Sequence, residues 1–181
     1  MIDIYMRNLK DFVVNPILSC FKNQTFSPNW ITIMSGIIGL IGVYFSAIDE
    51  RIWALVFFWV GRIADGMDGA YARLTNQTSD FGGYLDILVD FTIYGTVPLG
   101  VAIAHPSTGA FVALVLLEVT FFVNAAGLFF LSALIEKNEN AKKKYESKGK
   151  KEVTTLRMPP ALIEGSESLI LFTLIILFCE Y

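Results

Sequence analysis

The chain has 181 residues, 54% of them hydrophobic and only 17% charged, with a mean hydropathy of +0.55. A soluble domain carries about 25% charged residues, so this composition excludes a disordered, collagen-like or disulfide-framed chain and points to a membrane. The net charge of −3 is segregated along the chain, which leaves no domain-wide basic surface for nucleic acid, and Cys20 and Cys179 are too few and too far apart for a zinc site.

In chain order, residues 1–26 alternate apolar and basic character and are expected to form an amphipathic helix lying on the cytoplasmic leaflet. Ser27-Pro28-Asn29 then opens the first apolar run, 30–47. This run is expected to remain a membrane pass, because removing it as a signal segment would disturb the charge bias described below. Further passes are expected at 52–73, 82–104, 108–135 and 160–178, each near the roughly 20 residues a bilayer requires. Asp49-Glu50-Arg51 and His105-Pro106-Ser107 are short breaks, and 136–157 is a polar, lysine-rich loop. The expected fold is all-α: one polytopic membrane bundle spanning 1–181, with about five transmembrane helices and the N-terminal amphipathic helix. With the N-terminus inside, twelve of the fourteen Lys and Arg residues fall on the cytoplasmic side. The opposite topology would invert the positive-inside bias.

The chemistry concentrates in Asp65-Gly-Met-Asp68-Gly69-Ala-Tyr-Ala72-Arg73 and Gly82-Gly-Tyr-Leu-Asp86-Ile-Leu-Val-Asp90. An ionisable group inside a membrane helix costs roughly 2.5–3.5 kcal/mol on insertion scales and usually marks function. Asp65 and Asp68 share one helix face at i,i+3, and Asp86 and Asp90 share another at i,i+4. A loop near 74–81 makes these helices antiparallel, which brings Asp65 level with Asp90 and Asp68 level with Asp86. At about 1.5 Å per residue, Asp65 lies roughly 12 Å from Arg73 and Asp90 roughly 12 Å from Gly82, so the four converge open to the cytoplasmic side.

Four carboxylates so close repel unless neutralised. Oxygen-only ligation suits Mg²⁺, Mn²⁺ or Ca²⁺ rather than zinc. Two ions bridged by shared carboxylates would be an arrangement used for phosphoryl displacement. Gly66, Gly69, Gly82 and Gly83 would let backbone and a bulky ligand approach closely, although small residues also serve helix packing in membranes.

The pattern Asp65-x2-Asp68-Gly69-x2-Ala72-Arg73-x8-Gly82-x3-Asp86-x3-Asp90 resembles the signature of the CDP-alcohol phosphotransferases at all eight of its fixed positions over 26 residues. Ser27-Pro28-Asn29-x2-Thr32 is similar to the family's opening. The resemblance implies transfer of a substituted phosphoryl group from a CDP-linked alcohol to an acceptor hydroxyl, with release of CMP, in phospholipid synthesis. It implies Mg²⁺ or Mn²⁺ held by Asp65, Asp68 and Asp86, with Asp90 as general base and further contact to a metal. Gly69, Ala72, Arg73 and Gly82 would line the CDP-binding surface. The family usually has six transmembrane helices and often forms a homodimer, whereas five passes are read here. Many bacterial-type members of this size use CDP-diacylglycerol, so a bacterial-type cytoplasmic membrane is expected rather than an organelle membrane.

An acceptor bearing a phosphate would find Lys148, Lys150, Lys151 and Arg157 near the site mouth, although the same charges serve as ordinary positive-inside residues and attract anionic lipid heads. Arg62 and Glu118 fall at similar depth and are expected to pair, unless Arg62 turns to Asp65 instead. His105 is expected to be merely exposed. A cation transporter would spread its acids through the membrane depth, and an intramembrane prenyltransferase would carry two separate Asp-rich motifs. The single compact motif fits neither.

Overall fold

The computed structural model describes residues 26–137 and 165–178. These residues form five helices and no strand: α1 Pro28–Ala47, α2 Arg51–Leu74, α3 Asp80–Ala104, α4 Thr108–Lys137 and α5 Gly165–Phe178. The all-α expectation holds, with the ends of α1 to α4 within a few residues of those expected from the sequence; the expected start of the fifth pass at residue 160 lies outside the described residues. The expected amphipathic segment before residue 26 and the basic loop beyond residue 137 lie outside the described residues.

The helix ends follow local chemistry. Pro28 occupies the first turn of α1, where its missing N–H costs nothing. Asp49 and Asn76 stand in the turns after α1 and α2 with φ of 61° and 55°. Short polar side chains tolerate this left-handed region. The Ser79 hydroxyl caps α3 by accepting from the Gly82 N–H at 3.0 Å.

Helix α1 has its polarity turned inside out. Its buried face is Pro28, Thr32, Ser35, Gly36, Gly39, Gly42 and Ser46. Its exposed face carries Trp30, Ile33, Met34, Ile37, Leu40 and Tyr44. A helix in water buries its large apolar side chains; a helix in lipid gains nothing by hiding them and packs through small residues. By length and composition, α1, α3 and the 108–134 stretch of α4 can each cross a bilayer. Helix α2 is long enough at 24 residues but carries Arg51, Arg62, Asp65, Asp68 and Arg73. Helix α5 is described over 14 residues. The chain is an integral membrane helical bundle.

Helix α1 packs along both α2 and α3, α5 leans on α3 and α2, and α4 touches α3 alone among its larger contacts. A Cβ on Gly42 would stand 3.0 Å from the Phe58 amide nitrogen and 3.2 Å from the Ala54 carbonyl oxygen. One on Gly61 would stand 3.2 Å from the Ser35 carbonyl oxygen. The backbones of α1 and α2 therefore meet directly. Beyond them, Ala54, Phe58, Ile93, Val97, Val101, Phe172 and Ile176 form an apolar core at the end where α2 begins.

That end is closed by a polar clasp. Arg51 donates to Asp49 Oδ1 at 2.9 Å and to the Leu177 carbonyl at 3.3 Å. His105 Nε2 lies 3.1 Å from Asp49 Oδ1 and 3.4 Å from Arg51 Nη2. The hydrogen bond from Arg51 holds the Asp49 carboxyl below the usual carboxylate range. His105 is thus part of a junction between the two short breaks and α5, not the isolated exposed residue its loop position suggested. Proximity of the loops is a tertiary fact that the local sequence does not carry.

Gly42→Val should destabilise the detergent-solubilised protein by about 1–3 kcal/mol, the cost of forcing atoms into a filled space. Gly127, with nothing within 4 Å of a Cβ, is the control: Gly127→Ala should be neutral or gain up to about 1 kcal/mol in helix propensity. Thermal unfolding of the two variants checks the pair, and equal melting temperatures would rule out the close α1–α2 approach.

Candidate active site

Helices α2 and α3 both pack on α1, and their acids meet across the space between them as the spacing requires. One carboxylate oxygen each from Asp65, Asp68 and Asp86 lies within 4.8 Å of the others. Asp68 is buried, and Asp65, Asp86 and Asp90 are half-buried. Asp90 falls outside this trio and is engaged by Arg62.

Asp68 is fixed on two sides. Its Oδ2 accepts from the Thr32 hydroxyl at 2.5 Å, and its Oδ1 accepts from the Gly69 N–H at 2.5 Å. Thr32 is 3% exposed and reaches across from α1. The sequence placed Thr32 within an opening motif but gave it no partner. Its only signal there was a hydroxyl on the small-residue face of α1. Ser35, one turn on, donates instead to the Thr32 carbonyl at 2.7 Å.

Arg62 is buried, its side chain 4% exposed. Its Nη1 donates to Asp90 Oδ1 and lies 3.6 Å from Asp65 Oδ2. Its guanidinium carbon is 5.5 Å from the centre of the Tyr94 ring, within cation–π range. The expected pair with Glu118 is therefore corrected. Arg62 finds acids on its own helix and across the hairpin, whereas Glu118 belongs to α4, which packs chiefly on α3. The Glu118 carboxylate rests over Gly95, 3.5 Å from where a Cβ would be. Equal depth gave no information about direction around the helix axis. Tyr94 was missed altogether, since one aromatic among many carries no signal until its partner is known.

The remaining motif positions lie toward the Arg73 end. Gly69 and Ala72 are half-buried and Arg73 is exposed. A Cβ on Gly69 would stand 3.3 Å from Arg73 Nη1, so the guanidinium lies over that glycine. A Cβ on Gly82 would stand 3.2 Å from Asn29 Oδ1. The site thus borders a glycine-floored strip between α1, α2 and α3. Lys148, Lys150, Lys151 and Arg157 lie outside the described residues.

The donor set fits a hard cation. Three carboxylates are gathered there, and Asp65 Oδ1 is buried without a hydrogen-bond partner among the described residues. A buried anionic oxygen with no donor is costly, and a divalent ion supplies the missing partner. On the side away from Arg73, the apolar core from Ala54 to Ile176 closes the bundle.

Comparison with known proteins agrees with this geometry. The family model for CDP-alcohol phosphatidyltransferase matches residues 25–179. The chain is 32% identical over 152 residues to the inner membrane protein YnjF of Escherichia coli, covering 84% of this chain and 70% of that one. It is 35% identical over 77 residues to the archaetidylinositol phosphate synthase of Pyrococcus horikoshii, covering 42% of this chain and 41% of that one. It is 35% identical over 71 residues to the CDP-diacylglycerol–serine O-phosphatidyltransferase of Helicobacter pylori strain J99, covering 39% of this chain and 30% of that one. No solved structure matches the chain significantly. The chain belongs to the CDP-alcohol phosphatidyltransferase family, enzymes that transfer a substituted phosphoryl group from a CDP-alcohol donor to an alcohol acceptor.

Thr32→Val keeps the shape of the side chain and removes the donor to Asp68. Loss of such an orienting partner typically costs about 10–100-fold in metal affinity. A Mn²⁺ titration of the purified protein should show that loss for Thr32→Val and none for Ser35→Ala. Equal affinity in both variants would mean that Thr32 does not orient Asp68.

Proposed function

We propose that the protein transfers a substituted phosphoryl group from a CDP-linked alcohol, most simply CDP-diacylglycerol, to the hydroxyl of an acceptor alcohol and releases CMP, as a step of phospholipid synthesis. The observation that carries this reading is the split of the four acids: three share a cation-sized cluster, and the fourth stands beside them on Arg62. A lipid-linked donor is supported by the relative named as a CDP-diacylglycerol–serine O-phosphatidyltransferase. The donor's diphosphate and the acceptor's hydroxyl give the four acids distinct tasks.

In this reading Asp65, Asp68 and Asp86 hold Mg²⁺ or Mn²⁺, as a pair of ions. Metal held by these carboxylates would offset their charge and supply Lewis-acid stabilisation of the donor's diphosphate and of the CMP leaving group. Gly69, Ala72 and Gly82 leave room for the nucleotide, and Arg73 offers a planar, permanently charged contact to phosphate. Asp90 takes the proton of the acceptor hydroxyl as its oxygen bonds to phosphorus and the bond to the CMP oxygen breaks. The positive-inside bias of the sequence puts the Arg73 end, and with it the site, on the cytoplasmic side. Lys148, Lys150, Lys151 and Arg157 would serve an acceptor that carries a phosphate. A homodimer is the assembly that the family resemblance suggests.

A panel of CDP-activated lipids and alcohols, crossed with candidate acceptors and read out as CMP release, tests the reading. Turnover should cease in EDTA and return with Mg²⁺ or Mn²⁺. Full activity after exhaustive chelation, or no CMP release across the whole panel, would overturn it.

The roles of the acids separate in binding and rate. Asp90→Asn should bind CDP-alcohol nearly as well as wild type and turn over about 10²–10⁴-fold more slowly, the usual loss for a general base. Asp68→Asn should lose nucleotide binding as well. Calorimetry with CMP in Mg²⁺, set beside CMP-release rates, distinguishes the two. An Asp90→Asn enzyme that loses nucleotide binding as badly as Asp68→Asn would make Asp90 a metal ligand instead.

A further inference from the structure

We infer that Arg62 is a positioning residue that divides the acidic cluster. It holds Asp90 by Oδ1, out of the metal's ligand set, and leaves Oδ2 to accept a proton. The inference rests on the transferase reading above and assigns a part to a residue outside the eight-position motif.

Three observations lead to it. First, the spacing alone makes the four acids equivalent: two pairs, level across one hairpin. In the structure one oxygen each of Asp65, Asp68 and Asp86 lies within 4.8 Å of the others, a cluster that does not take in Asp90. Second, the group that sets Asp90 apart is Arg62, whose Nη1 donates to Asp90 and also lies 3.6 Å from Asp65. Bridging one member of the trio and the outlier fixes their separation. Third, Arg62 has little freedom to move. Its side chain is 4% exposed and it sits against the Tyr94 ring. That ring is itself stacked on Phe172 of α5 at 5.2 Å and set edge-on to Phe121 of α4 at 5.8 Å. Arg62 Nε and Nη2 are buried and have no hydrogen-bond partner among the described residues. A buried guanidinium with two such nitrogens is unfavourable as a purely structural device.

The direction of the effect follows from charge. A cation fixed beside a metal site opposes the metal, so Arg62 weakens divalent binding for the sake of geometry. A divalent ion roughly 6 Å from a unit charge is disfavoured about tenfold even at the dielectric constant of water. Removing Arg62 should therefore tighten metal binding and slow the reaction. A residue that merely holds the fold together would weaken both.

The test uses the full chain reconstituted in lipid nanodiscs, with Mn²⁺ affinity read from the electron paramagnetic resonance of the free ion. Arg62→Gln should bind Mn²⁺ at least about tenfold more tightly than wild type. At saturating metal it should release CMP roughly 10²-fold more slowly, the scale of loss when a catalytic group is misplaced by an ångström. On an Asp90→Asn background the same change should tighten Mn²⁺ by less, because no carboxylate remains to join the metal. Unchanged or weaker Mn²⁺ binding in Arg62→Gln, or an equal gain on both backgrounds, overturns the inference. If Arg62→Gln does not fold, Arg62→Lys decides the matter. Lys keeps the charge but lacks the planar fork, so Mn²⁺ affinity should stay near wild type while turnover falls; wild-type turnover in that variant counts against the inference. A wild-type protein that releases no CMP from any donor counts against the transferase reading itself. Wild-type turnover combined with unaltered Mn²⁺ binding in the Arg62 variants counts against Arg62 alone.

Discussion

Charge inside a membrane helix has to be answered by charge or by hydrogen bonds, and that constraint organises this bundle. Asp65, Asp68, Asp86 and Asp90 lie on two helices that must otherwise satisfy lipid. None of them faces the apolar surround alone. Thr32 and the Gly69 amide answer Asp68, and Arg62 answers Asp90 and Asp65. What is left over, a buried oxygen of Asp65 beside two further carboxylates, is what a divalent cation is suited to meet. The helix hairpin is required because no single helix could supply four acids at one depth.

That hairpin depends in turn on residues that have no polar chemistry. Thr32 reaches Asp68 only because α1 lies against α2 with almost nothing between the backbones. Gly42 of α1 and Gly61 of α2 permit this approach, while Gly36 and Gly39 make room for Val89 and Ile93 of α3. A β-carbon at Gly42 would push α1 outward and carry the Thr32 hydroxyl away from its acceptor. Packing in the membrane interior and orientation of an active-site carboxylate are therefore one problem here, solved by the same face of the same helix.

The acids and their convergence are legible from residue spacing, because an antiparallel hairpin translates sequence number directly into depth. The helices are legible because an apolar run of bilayer length is suited to few environments besides a membrane. Arg62 shows where such reading stops. Its sequence position gives its depth, and depth makes Glu118 a candidate partner, but depth says nothing about which way a side chain points around the helix axis. Only the packing of α4, which lies against α3 rather than α2, excludes the pair. His105 and Tyr94 escape for the same cause, since both take their meaning from neighbours more than twenty residues away in sequence. Thr32 is visible as part of an opening motif, yet its acceptor lies 36 residues further along the chain.

The distribution of polarity along the bundle also bears on what kind of chemistry the site can host. Toward Arg73 the surroundings are glycine, exposed arginine and half-buried carboxylate. In the opposite direction an apolar layer follows Arg62 and Tyr94 and separates them from the Asp49–Arg51–His105 clasp. There Phe58, Ile93 and Val97 are each 2% exposed or less, and they close the space between α1, α2, α3 and α5. An ion path would need polar groups continuing through that layer. A group-transfer site needs the reverse: one open side through which a soluble headgroup and a lipid-anchored one can both arrive, and a dry floor that keeps fixed charges effective. The apolar core thus acts as the closed end of the candidate active site as well as the means by which α1, α2, α3 and α5 hold together.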